Sequence, residues 1–202
     1  MKLYYAPGAC SLASHIALHE SGLPFEIDKL NVPAKTTASG EDYMQINPKG
    51  YVPAIKVDDG SILTEGAVIL QYIADQNPSS GLAPRAGTME RYRLQEWLNF
   101  IATELHKAFG PLFNKAASDE SKKSARDLLT KRLAIVEAQL AKKPYLMGDS
   151  FTVADAYLFV VLSWSDHAGF DLGPFPNTKA YIARMAERPS VRAAMKAEGL
   201  IQ

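Results

Sequence analysis

Apolar and polar residues are patterned in two different ways along this chain, and the change falls near residue 80. In the first part the apolar positions come in short runs. Lys2 to Tyr5 predicts a strand, and Leu12, Ile16 and His19 follow helical spacing until Gly22 and Pro24 end it. Phe25 and Ile27 alternate with charged residues and predict a second strand. Thr36 to Gln45 is polar and predicts a loop with room for one helical turn. Ala54 to Val57, the Asp59-Gly60 turn and Ser61 to Thr64 predict a hairpin, because glycine supplies the left-handed backbone that a tight turn requires. Val68, Ile69, Tyr72 and Ile73 mark another helix. The predicted order is β-α-β, loop, β-β-α.

PSSGLAPRAG, Pro78 to Gly87, reads as a linker, and every later segment has helical periodicity. Trp97, Leu98, Ile101 and Leu105 line one face of a long helix that Gly110-Pro111 is expected to kink or end. Leu128, Leu129, Leu133, Val136 and Leu140 line the next. Thr152-x-x-Asp155 is a capping-box variant that opens the apolar helix from Val153 onward. Two shorter helices are predicted around Tyr181 to Ala186 and Val191 to Ala197. The fold class is therefore α/β followed by all-α, with a first domain over 1–77, a linker over 78–87 and an all-helical domain over 88–202.

Composition narrows the function without naming it. The chain has 202 residues, with 22 Lys plus Arg against 22 Asp plus Glu, so neither nucleic acid nor an anionic membrane is favoured as a partner. A single cysteine cannot form an intrachain disulfide, which fits a reducing, cytoplasmic location. MKLYYAPGA lacks the apolar region of a signal peptide, and the most apolar stretch, Ala156 to Trp164, is too short to span a bilayer.

The lone cysteine, Cys10, follows a Pro7-Gly8 turn signal and precedes a helical run. Two readings stay open: a small buried side chain, or a thiol whose ionisation the helix N-terminus assists. His15 and His19 are spaced to share a helix face, but no third ligand joins them, so no metal site is expected. Ser165, Asp166 and His167 carry hydrolase side chains without a G-x-S-x-G elbow. Tyr157, Phe159 and Trp164 read as core residues, some of which can border an apolar ligand.

Several segments resemble the glutathione transferases. NPKGYVPAI, Asn47 to Ile55, resembles that family's N-P-x-G-x-V-P segment. LTEGAVILQYIAD, Leu63 to Asp75, is similar to its strand-to-helix element, and FTVADAYLF, Phe151 to Phe159, to its helix-capping motif. YYAPGACS near the start and Leu105-His106-Lys107 point to the bacterial beta class. The likeness covers essentially the whole chain. It implies a thioredoxin-like N-terminal domain, an all-helical C-terminal domain and a homodimer. It also implies that glutathione is a co-substrate, with no resident cofactor, and that the second substrate is a hydrophobic electrophile.

The site residues follow from this resemblance. Val52-Pro53 is implied to be a cis bond that presents the Val52 backbone to the ligand as a pairing edge, where position alone puts cis at about 5%. The Gly66 N–H at a helix N-terminus is implied to receive the γ-glutamyl carboxylate, and Glu65 its ammonium. Family members often carry serine where this chain has Gly66. Lys35 is implied to bind the glycyl carboxylate. Asn99, Thr103 and Glu104 approach the peptide, Asn99 from a second subunit. His106 is implied to face Cys10, where an imidazole holds charge or moves a proton. Cys10, Tyr5 and Ser11 are all candidates to stabilise the glutathione thiolate, and the sequence does not rank them. Without a second cysteine, redox chemistry at Cys10 is monothiol, with glutathione resolving the intermediate. The competing class is a non-catalytic protein that binds hydrophobic ligands or partners on the same fold.

Overall fold

The computed structural model describes residues 1–202, which divide into two compact units. The first comprises residues 1–83 and 188–202, the second residues 84–187.

The first unit is a mixed sheet with helices. Its elements are β1 (Lys2–Tyr5), α1 (Ser11–Ser21), β2 (Glu26–Asn31), β3 (Thr36–Thr37), α2 (Tyr43–Ile46), β4 (Ala54–Lys56), β5 (Ile62–Thr64) and α3 (Gly66–Gln76). The strand order is β3-β2-β1-β4-β5. β1 runs parallel to β2 and antiparallel to β4, so Leu3 lies opposite both Ile27 and Ile55. Leu3, Tyr4 and Tyr5 are all buried, as expected for a central strand covered on both faces. Tyr4 packs edge-on to Tyr43, and this core includes Leu30 and Ala54 with Ile46, Val52 and Ile62 against it. The hairpin forms as predicted around Asp59-Gly60, with β4 and β5 antiparallel. The polar stretch holds the expected helical turn, α2. It also holds β3, whose two residues are too few to show a periodicity.

The second unit is helical: α4 (Met89–Phe100), α5 (Gly110–Phe113), α6 (Asp119–Leu140), α7 (Val153–Ser163), α8 (Ser165–Ala168) and α9 (Pro176–Ala186). Between α4 and α5 the backbone forms a π-helical stretch, Ile101–His106, then a 3₁₀ turn, Lys107–Phe109. The expected break at Gly110-Pro111 is therefore displaced. The irregularity starts at Ile101, and Pro111 occupies the first turn of α5, where its missing N–H removes no helical bond. Leu128 was expected on the core face of α6, but it is 38% exposed. Successive helical residues are about 100° apart, and Leu129, Leu133, Val136 and Leu140 already occupy the inward stripe. α7 is buried from Val153 to Leu162. Its capping residue Asp155 accepts bonds from the Thr152 N–H and hydroxyl, the Leu146 N–H and the Tyr181 hydroxyl. The Glu137 carboxylate receives the Asn177 and Thr178 N–H groups at the start of α9.

The last helix, α10 (Pro189–Ala197), packs on α1 of the first unit, whereas the sequence reading assigned 88–202 as a whole to the helical part. Polar contacts account for the difference. Arg188 and Ser190 bind the Glu20 carboxylate, and Glu198 meets His15 and the Gly8 N–H.

Candidate active site

The loop from Asn47 to Pro53 is the hub of the site in the first unit. Asn47 and Tyr43 both donate to the Tyr51 carbonyl, through Nδ2 and the phenol, each at 2.7 Å. The Tyr51 carbonyl and the Val52 N–H belong to one planar trans peptide and point opposite ways. Holding the carbonyl inward therefore turns the Val52 N–H away from the loop, and it makes no hydrogen bond within the chain. The Val52-Pro53 bond is cis, in agreement with the expectation. The Val52 carbonyl accepts from Cys10 Sγ at 3.2 Å.

Cys10 is the N-cap residue of α1 and is partly buried. The preceding loop is shaped by Ser11, whose buried hydroxyl accepts from the Ala6 N–H and donates to the Ala6 carbonyl, both at 3.2 Å. Ser11 thus serves the loop backbone. Tyr5 is buried beside His15, and burial, with Glu198 and Asp28 adding, pushes its phenol up. Its proton is retained at neutral pH. Tyr43 is likewise raised, by burial first, with its Asn47 bond opposing and Cys10 adding.

Two cations flank the hub. Lys35 donates from Nζ to the Gly50 carbonyl at 2.8 Å, which places its charge one residue from Tyr51. Lys49, which the sequence reading did not single out, bonds Glu65 at 2.7 Å and Thr64 at 3.0 Å. Its position inside the quoted N-P-K-G segment was the available signal. Glu65 caps α3 with φ 70° and Lys35 has φ 54°, the only two non-glycine residues with positive φ. Such backbone strain concentrates where function over-determines a conformation. A Cβ added at Gly66 meets only Pro53, at an ordinary 3.7 Å, so the position does not demand glycine. Cys10, Val52, Lys35, Glu65 and Gly66 are thus brought around one loop.

In the second unit, Asn99 is the penultimate residue of α4 and is exposed, with its carbonyl accepting from Thr103 at 3.0 Å. Glu104 pairs with Arg132 of α6 at 2.6 Å. His106 closes the π-helical stretch, a backbone form often found at functional positions. Its Nδ1 lies 2.7 Å from the Tyr157 hydroxyl, and its ring meets Trp164 edge-on at 4.8 Å. Burial, with Lys107 adding, lowers its pKa to about 4, so the imidazole is neutral at pH 7. Of its two expected roles, handling a proton suits that neutral state and holding charge does not. Phe109, Phe113 and Phe170 extend the aromatic cluster around Trp164. The His15 and His19 rings stack on each other, with His15 bound to Glu198. No helix is long and apolar enough to cross a membrane.

Comparison with known proteins accords with this geometry. Residues 8–76 match the family model for the glutathione S-transferase N-terminal domain, and residues 100–189 that for the C-terminal domain. The chain is 48% identical to glutathione S-transferase GstA of Escherichia coli O157:H7, over 99% of this chain and 100% of that protein. Among solved structures, a sphingomonad glutathione S-transferase complexed with glutathione is 49% identical, with a TM-score of 0.96 and complete coverage of both chains. A bacterial beta-class glutathione S-transferase from Sphingomonas chungbukensis is also 49% identical, with a TM-score of 0.95 and the same coverage. Matched in both domains and along its whole length, the chain belongs to the glutathione S-transferase family.

Proposed function

We propose that this chain conjugates the thiolate of glutathione to small, mostly apolar electrophiles. The observation that carries the reading is the outward Val52 N–H, with Lys35 beside the hub loop and the α3 N-terminus across Pro53. Glutathione is an extended peptide with a carboxylate at each end. Its cysteinyl backbone pairs with Val52 as an added strand. Lys35 meets the glycyl carboxylate, and the Gly66 N–H with the helix dipole meets the γ-glutamyl carboxylate. Glu65 exchanges Lys49 for the ligand's ammonium, an exposed pair that is readily broken.

This places the glutathione sulfur beside Cys10. The thiol gives up its proton, and the thiolate forms a carbon–sulfur bond as the leaving group departs with its electron pair. His106 handles a proton, and Asn99, Thr103 and Glu104 contact the peptide, Asn99 from the second subunit of a homodimer. The reaction runs in a reducing cytoplasm. Cys10 also supports monothiol exchange. Its thiolate attacks a glutathionyl disulfide and expels the other thiolate, and a second glutathione then releases oxidised glutathione and restores Cys10. Cys10→Ala is expected to abolish exchange and only partly reduce conjugation.

Calorimetric titration with reduced glutathione tests the reading. Saturable binding, weakened about tenfold by Glu65→Ala, is expected, since hydrogen bonds to charged groups contribute about 1.5–3 kcal/mol. No heat at millimolar glutathione would leave the non-catalytic binding protein as the better account.

A further inference from the structure

We propose that Glu198, which follows α10 and is joined to both Gly8 and His15, is a positioning residue for Cys10. This rests on the reading of Cys10 as the thiol beside glutathione. Glu198 Oε2 accepts from the Gly8 N–H at 2.9 Å, and Oε1 lies 3.0 Å from His15 Nδ1. The two contacts bracket Cys10, one two residues before it and one five residues after. Both side chains are buried, at 1% exposure for His15 and none for Glu198. A buried carboxylate is stable only when its oxygens are bonded, so this one has little freedom to move alone.

The carboxylate is itself held in place from the chain end. Gly199 adopts φ 74°, its N–H bonds the Lys196 carbonyl, and the Leu200 N–H bonds the Met195 carbonyl. This pair of bonds is a Schellman stop, which sets the direction in which Glu198 leaves the helix. The Leu200 side chain then lies 3.5 Å from where a Cβ on Gly8 would be. The loop that delivers Cys10 is therefore clamped on two sides. Ser11 holds it at Ala6, and Glu198 holds it at Gly8.

Anchoring of α10 on α1 has a separate device at the other end, where Arg188 and Ser190 bind Glu20. The Glu198 contact to the loop is additional to that anchor. The titratable groups around the pair are Tyr5 from β1, with Asp28 of β2 acting on it, and His19 from α1. Burial, with His15 adding, pushes His19 down, and burial, with Glu198 and Asp28 adding, pushes Tyr5 up. Both are neutral at pH 7, so neither competes with His15 for the carboxylate.

The test is the pH dependence of Cys10 alkylation by iodoacetamide, with glutathione affinity measured alongside. Glu198→Ala is expected to shift the pH midpoint of alkylation away from the wild-type value and to weaken glutathione binding about tenfold. Glu198→Gln keeps an oxygen to accept from the Gly8 N–H and an amide NH2 that can donate to His15 Nδ1 in the matching tautomer, without the charge, and is expected to keep the wild-type midpoint. Glu198→Asp keeps the charge but falls short of Gly8, and is expected to shift in the same direction as Ala. The Gln and Asp pair decides the matter even if the Ala variant does not fold. A folded Ala variant with unchanged midpoint and affinity would overturn the proposal. So would a Gln variant that shifts while Asp does not, since that pattern belongs to charge alone. Alkylation does not involve glutathione, so a failure of wild-type protein to bind glutathione would sink the functional reading and leave this result standing.

Discussion

The helical unit and the hub loop of the sheet unit use their polar groups for opposite purposes. In the helical unit they close inward: Asp155 gathers donors from Thr152, Leu146 and Tyr181, and Glu137 takes the first N–H groups of α9. In the sheet unit the hub loop bonds its Tyr51 carbonyl so that the next N–H faces away, and Lys35 and Glu65 hold positive φ. One region converts polar groups into rigidity. The other converts rigidity into an edge that a peptide can join. A left-handed backbone costs roughly 1–2 kcal/mol at a non-glycine residue, so the strain lies where binding is proposed.

The strongest way to break the comparison is Asp155→Ala. It leaves buried donors without an acceptor and is expected to lower unfolding free energy by about 3 kcal/mol or more, read from urea denaturation. Glutathione affinity of the protein that remains folded should stay at the wild-type level. A large affinity loss at unchanged stability would reverse the assignment of roles.

Next in size is His106→Phe, which keeps a ring against Trp164 and removes the imidazole. Turnover of an aromatic halide should fall about 100-fold with the KM for glutathione unchanged. In the wild type, His106 titrates near 4, below its ordinary 6.5, so its neutral form persists through physiological pH. Its folded pKa is depressed, so its contribution to stability is present above 6.5 and is lost as pH falls through about 4. Nuclear magnetic resonance titration of the ring checks the value, and a midpoint near 6.5 would contradict it.

Glu65→Gly sharpens the contrast because its two effects have opposite signs. Releasing the φ of 70° should raise stability by about 1 kcal/mol, while the loss of the carboxylate should weaken glutathione binding about tenfold. A variant that lost both would show that the strain is not stored for binding. The smallest effect is expected from Gly66→Ser. The space beside Pro53 admits a side chain, and the added hydroxyl should tighten glutathione binding about threefold by calorimetry.

What could be read from the sequence was what is local. The Asp59-Gly60 hairpin and the Thr152-x-x-Asp155 cap depend on residues a few positions apart, and both formed. Motif resemblance reached further, to the cis bond at Pro53 and the family itself. The π-helical stretch over Ile101–His106 was not legible, because its residues keep a helical period while the hydrogen bonds slip by one. Leu128 misled because α6 buries a single stripe, and with Leu129 in that stripe its neighbour is turned about 100° away, toward solvent. Ser11 was a candidate for thiolate chemistry, and its hydroxyl is bonded to Ala6 by a loop turn that no local pattern announces. Glu198 carried no local signal at all.

That last residue has a consequence for how the molecule is made. The Gly8 and Glu198 contact joins positions 190 apart. During synthesis the β1-to-α3 segment emerges from the ribosome well before Glu198 and waits for that stretch of chain before its Cys10 loop can be clamped. Loop closure over such a separation is entropically unfavourable until other contacts form. The Cys10 loop is thus translated long before it can be finished. A nascent chain paused before Glu198 would carry its cysteine unguarded.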